Sequence, residues 1–137
     1  MNINERIYKE LEVILGDLND LPEYVKMKSG GLMDLNMDRL YHKDRDGEIV
    51  IALAHNYEQN GDLIPDPDME IRINPLLKMA EALTYQDTYG YQEVYPVPGM
   101  VNLRNKQMLN TFLKMWLQNL KNQGFKKQAE ESLTLPL

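Results

Sequence analysis

The chain has 137 residues, 43% hydrophobic and 26% charged, the proportions of one ordinary globular domain and not of a disordered segment. Its formal net charge of −6 argues against direct binding of a nucleic-acid backbone, and the lack of cysteine excludes disulfides, thiolate nucleophiles and Cys-based zinc sites. No apolar run approaches the ~20 residues that span a bilayer, and the polar start Met1-Asn2-Ile3-Asn4-Glu5-Arg6 is no secretory signal, so a cytoplasmic protein is expected.

The first segment reads as a helix, because Ile3, Ile7, Leu11, Ile14, Leu15 and Leu18 recur at spacings of three and four. Asn2 with Glu5 matches a capping box, with Asn in place of Ser or Thr, and Gly16 is expected to end the helix in the αL conformation. The period then changes to two. Val25 and Met27 alternate with Lys26 and Lys28, Gly30-Gly31 marks a hairpin, and Met33, Leu35 and Met37 alternate with Asp34, Asn36 and Asp38. Strict alternation would bury Arg39, so the strand ends or bulges there.

Asp44-Arg45-Asp46-Gly47 is a turn, since Asp-Gly tolerates the positive φ angles of tight hairpins. Glu48 to Tyr57 is apolar on both faces, with Ile49, Ile51 and Leu53 opposite Val50, Ala52 and Ala54. This predicts a central strand covered on each side, with a helix lying close on the alanines. A second turn centres on Asn60-Gly61. The segment through Pro65 and Pro67 is expected to stay out of a central ladder, and a strand then carries Met69, Ile71 and Ile73 up to Asn74-Pro75.

Leu76 to Gln86 fits two readings. Its Leu, Lys, Met, Ala and Glu favour a helix, whereas Leu77, Met79, Leu83 and Tyr85 follow a period of two broken by Glu81. Tyr89 to Tyr95 reads as a strand closed by Pro96 and Pro98. The last element is a helix with an apolar stripe of Leu109, Phe112, Leu113, Trp116 and Leu120, widened by Met108 and Met115. Asn102 is its expected cap and Gly124 its C′ residue. The lysines from Lys114 to Lys127 read as the solvated side of that helix. Residues 125–137 read as a flexible tail after a single domain over 1–124.

Strands joined by hairpins and flanked by terminal helices define an α+β fold. The expectation is an antiparallel meander of five to six strands with both amphipathic helices on one face.

Tyr57-Glu58-Gln59-Asn60-Gly61-Asp62, followed by Asp66-Pro67-Asp68-Met69, resembles a pattern in short bacterial proteins of conjugative elements and phages, grouped only as domains of unknown function. The resemblance covers Ile49 to Tyr95. A looser similarity, from Met69 to Gly124, is to another uncharacterised bacterial family whose counterpart of Lys78 to Gln86 is more β-branched. This resemblance implies that Leu76 to Gln86 is strand. Neither resemblance implies an activity or catalytic residues.

Two chemistries compete. Asp62, Asp66, Asp68 and Glu70, with Glu58 just before them, offer oxygen ligands of the kind Ca²⁺ or Mg²⁺ takes, but the spacing is no EF-hand and two prolines stiffen the loop. Asp44, Asp46 and Glu48 form a similar cluster that hairpin geometry alone explains. His55 with Glu58 or Asp62 would form an acid–base pair, although a lone strand histidine is more often a structural hydrogen-bonding residue, and His42 reads as exposed. No Gly-x-Ser-x-Gly elbow and no phosphate-binding loop are present. Tyr41, Tyr57, Tyr85, Tyr89, Tyr91 and Tyr95 are suited either to a binding patch or to strand-face packing.

The sequence therefore points first to a non-catalytic protein-binding module, monomeric or homodimeric, with no cofactor and no metal. His55, Tyr57, Glu58, Asn60, Asp62, Asp66 and Asp68 are its candidate binding residues. The alternative is a small metal-binding or enzymatic domain that uses the Glu58–Glu70 loop with His55.

Overall fold

The structure is a computed structural model in which residues 1–128 are described; residues 129–137, most of the expected tail, lie outside the described residues. The first helix, α1 (Ile3–Leu15), buries Ile7, Tyr8, Leu11, Ile14 and Leu15. Its capping box is complete: Glu5 N–H donates to Asn2 Oδ1 at 2.8 Å and Asn2 N–H to Glu5 Oε1 at 3.0 Å. Gly16 ends α1 with φ 79° and ψ −146°. The positive φ is as expected, but ψ lies outside the αL region, which corrects that expectation.

Seven strands follow: β1 (Tyr24–Met27), β2 (Leu35–Arg39), β3 (Ile49–Gln59), β4 (Asp62–Asn74), β5 (Met79–Ala82), β6 (Thr84–Asp87) and β7 (Gly90–Glu93). All pairings are antiparallel, in the order β1-β2-β3-β4-β6-β7, with β5 also paired to β4. The meander is as the sequence predicts. The additional strand arises because Leu76–Gln86, read as one strand, begins as a turn through Lys78 and is then interrupted at Leu83, leaving two strands that share β4. β2 ends at Arg39, where a one-turn 3-10 segment at Tyr41–Lys43 intervenes before the Asp46-Gly47 turn. Asp46-Gly47 and Asn60-Gly61 both have two successive positive φ angles, the requirement of a type I′ turn.

The prolines correct a further expectation. β4 extends from Asp62, and Pro65 sits opposite Asn56 in the ladder with β3. The β3–β4 register shifts between Ala54 and Asn56, so the ladder is already interrupted where Pro67, lacking an N–H, enters.

The core lies between the sheet and the helices. Met27, Leu35, Met37, Ile51, Leu53, Met69, Ile71 and Ile73 supply the sheet side. α2 (Leu103–Asn122) supplies Leu109, Leu113, Trp116, Leu117 and Leu120 and packs against α1. Met108 and Met115, expected to widen the stripe, are exposed, and Leu117 and Asn110 are buried in their stead. Both helices sit over the Ile51–Leu53 face and none over the alanines, which corrects the covering helix expected there. Val50 is buried nonetheless, bordering a depression of about 200 Å³ lined by Lys43, Glu70, Leu83, Tyr91 and Tyr95.

α2 ends as its sequence predicts. Gly124 has φ 92°, its N–H donates to Lys121 O at 3.0 Å, and Phe125 N–H donates to Leu120 O at 3.1 Å. These two bonds form a Schellman motif. Phe125 is 2% exposed, and Lys127 N–H donates to Ile14 O at 2.7 Å. Phe125 and the Lys127 backbone are therefore held against the fold beyond Gly124. Among the described residues, no helix is long and apolar enough to cross a membrane.

Candidate functional site

The long β3–β4 hairpin carries the candidate binding residues and spreads them apart. His55, 8% exposed, points inward at the bulge. Its Nδ1–H donates to the Asp34 carbonyl at 3.0 Å, and its ring meets Trp116 and Phe125 edge-on at centroid distances of 5.9 and 5.4 Å. Tyr57 shares a 3.0 Å hydrogen bond with Thr88 Oγ1. Glu58, Asn60 and Asp62 are exposed at the hairpin tip, and Asp66 is exposed beyond it. Asp68 lies on the sheet face opposite His55. Among the described residues, no three His, Asp or Glu side chains are grouped to hold a metal ion.

The structure brings Asp68 together with different partners. Registry aligns Asn36, Ala54 and Asp68 in one row and Asp38, Ala52 and Glu70 in the next. The alanines form a low floor between these acids. Burial raises the Asp68 carboxyl above its ordinary pKa, and the charges of Glu70 and Asp38 add to this. Burial also raises Asp38. Glu70 is held at 2.6 Å by Lys43. In the second acidic cluster, Asp44 pairs with Arg39 at 2.7 Å and Glu48 lies 3.9 Å from Arg45. His42 is exposed.

The tyrosines divide into packed and exposed ones. Tyr85 packs edge-on against Phe112 at 5.3 Å, and its hydroxyl donates to Asp87, burial and that contact pushing its pKa up to about 12. Tyr41, Tyr89, Tyr91 and Tyr95 are exposed, with the Arg39 guanidinium 4.4 Å over the Tyr41 ring.

Tyr95 opens a feature that sequence reading missed. The segment from Tyr95 to Val101 is a loop closed at its base. Asn102 N–H donates to Val94 O at 2.7 Å, Val94 N–H donates to Leu83 O at 2.9 Å, and Val94 itself is fully buried. Asn102 then caps α2 through Asn105 N–H at 2.9 Å, while Asn105 Nδ2 donates to Glu93 O at 2.9 Å. On this fixed base, Val97, Met100, Val101 and Leu103 are exposed. The loop, with Arg45 and Arg72, lines a groove of about 590 Å³. Tyr95 donates its hydroxyl to Glu81 Oε1 at 2.7 Å; burial first, then Glu81, pushes its pKa up to about 12. The available signal was Val97-Pro98-Gly99-Met100-Val101, an apolar run inside a proline-closed loop. A shallower apolar depression of about 460 Å³ lies on α2 around Met108, Phe112 and Met115.

A family model for a domain of unknown function, DUF6908, matches residues 4–126, nearly the whole described chain. No curated protein and no solved structure matches.

Proposed function

The chain belongs to the DUF6908 family, a domain of unknown function, and from that premise we propose that it is a non-catalytic protein-binding accessory module. One observation carries this reading. The Tyr95–Leu103 segment holds four exposed apolar side chains on a hydrogen-bonded base, beside Tyr95 and two arginines. Exposed apolar clusters mark interaction surfaces, and Tyr, Met and Arg are the residue types enriched in them. A loop with no partner would be expected to carry polar side chains. The resemblance of Tyr57–Met69 to proteins of conjugative elements and phages supports a role in a bacterial mobile element, acting in the cytoplasm on a protein partner of the host or the element.

A photo-crosslinking residue placed at Val97 or Val101 tests this in bacterial extract, with Val13, exposed on α1, as the control position. A discrete adduct from the loop positions, absent at Val13 and lost when Met100→Asp is added, is the expected result. Equal labelling at all three positions would refute it.

A further inference from the structure

Resting on that reading, we propose that the groove takes an extended peptide segment bearing a carboxylate beside apolar side chains, with Arg72 and Arg45 holding the carboxylate. Arg72 rises from β4 into the groove wall and is only 17% exposed at its side chain. Its Nε is enclosed and has no hydrogen-bond partner. The neighbouring carboxylates stop short: Glu48 Oε1 is 4.0 Å from Nε and Glu81 Oε1 is 3.9 Å from Nη1. Both distances exceed hydrogen-bond reach. Glu81 is already engaged by the Tyr95 hydroxyl. Arg45, the other cation of the groove, also stands 3.9 Å from its nearest carboxylate.

Arg72 lines the groove without a hydrogen bond to Glu48 or Glu81, and the planar guanidinium fits a carboxylate in bidentate fashion. The Tyr95 ring, 5.9 Å from the Arg72 guanidinium, flanks it. Glu48 and Glu81 offset the two arginines at longer range, so the groove is not a strongly positive field of the kind a polyanion needs. It suits one carboxylate at a time. Val97, Met100 and Val101 supply the apolar wall for the neighbouring side chains, and the volume is that of a pocket for a few such groups.

The test is selection of a random peptide display library on the full chain, followed by affinity measurement on Arg45→Gln, Arg72→Lys and Val101→Asp, each checked for folding by its thermal melt. Selected peptides are expected to carry Asp or Glu next to apolar residues. Arg45→Gln, at a side chain 61% exposed, should weaken them about tenfold, the cost of a charge-assisted bond. Arg72→Lys should weaken them further, and Val101→Asp should abolish binding. Peptides without acidic enrichment, or indifferent to both arginine changes, would overturn the carboxylate assignment. If Val101→Asp still removed such peptides, the protein-binding reading would stand without it; indifference to Val101→Asp, or a selection that yields no binder, would overturn the groove as well.

Discussion

Asp68 shows how position, more than residue type, sets the behaviour of an acid here. On the sheet face it shares a small area with Asp38 and Glu70, and burial leads the causes that raise its pKa. A carboxyl with a higher pKa in the folded state binds more protons folded than unfolded. Its ionisation therefore costs stability as pH rises above the ordinary value of 3.8. Asp68→Asn is expected to stabilise the fold at pH 7, by no more than about 1 kcal/mol because partial exposure screens the repulsion. The gain should vanish below pH 3.8, where both states carry the proton. Asp87 has the opposite sign. Tyr89 N–H, then the Tyr85 hydroxyl, hold its pKa low, so its contribution is present above pH 3.8 and lost as pH falls through the lower folded value. A melt series on Asp68→Asn and Asp87→Asn between about pH 2 and about pH 7, roughly two units below and three above the ordinary carboxylate values, separates the two signs.

At the scale of elements, local sequence signals work where the bond they imply is local. Asn2 and Glu5 are three residues apart, as are Asn102 and Asn105, and both caps form. Gly124 likewise needs only its own helix end. Gly124→Ala places a Cβ in a left-handed conformation, 3.2 Å from Ser29 Oγ, and is expected to cost about 1 kcal/mol in urea unfolding. β5 follows another logic. Its edge away from β4 is closed by two helix asparagines: Asn4 Nδ2 donates to Ala80 O, and Ala82 N–H donates to Asn110 Oδ1, each at 2.9 Å. This closure protects a strand edge without a further strand. Asn110→Leu leaves the buried Ala82 N–H without a partner and is expected to destabilise by about 1–3 kcal/mol, although Leu is the better helix former. A destabilisation near zero in the same urea experiment would refute the clip.

For the whole molecule, a sheet with helices on one side leaves its second face to side chains and loops. The closed Tyr95–Val101 loop and the Tyr41–Lys43 turn crowd one end of that face, where Val50 is buried. At the opposite layer, Phe125 completes the core against His55, beyond the helix that the sequence marks as the last element. A chain cut after Gly124 is therefore expected to lose about 3 kcal/mol, the cost of deleting a buried phenylalanine. Met108→Gln with Met115→Gln, both exposed, should change stability by less than about 0.5 kcal/mol each. Equal stability of the cut and full chains would show that Phe125 is not core.

Much of the fold was legible because it follows from periodicity and turn chemistry. The period-two runs, the Asp46-Gly47 and Asn60-Gly61 turns and the two capped helices dictate an antiparallel meander between helices. These signals act over a few residues, within reach of the backbone bonds they satisfy. The site was much less legible. Hydrophobic pattern shows that Val50, Ala52 and Ala54 form a face, but not which of two apolar faces the helices choose; that depends on packing between distant segments. Conversely, the acidic hairpin looked like a cluster because its residues are adjacent in sequence, yet alternation and the bulge send His55 and Asp68 to opposite faces. The arginine groove is the reverse case. Arg45, Arg72 and the loop from Tyr95 to Val101 lie far apart along the chain and meet only because β4 and the closed loop pack together. The sequence alone determined the meander and its caps. Only the tertiary structure decided which faces are covered and which charges converge, because burial and proximity belong to the packed chain as a whole.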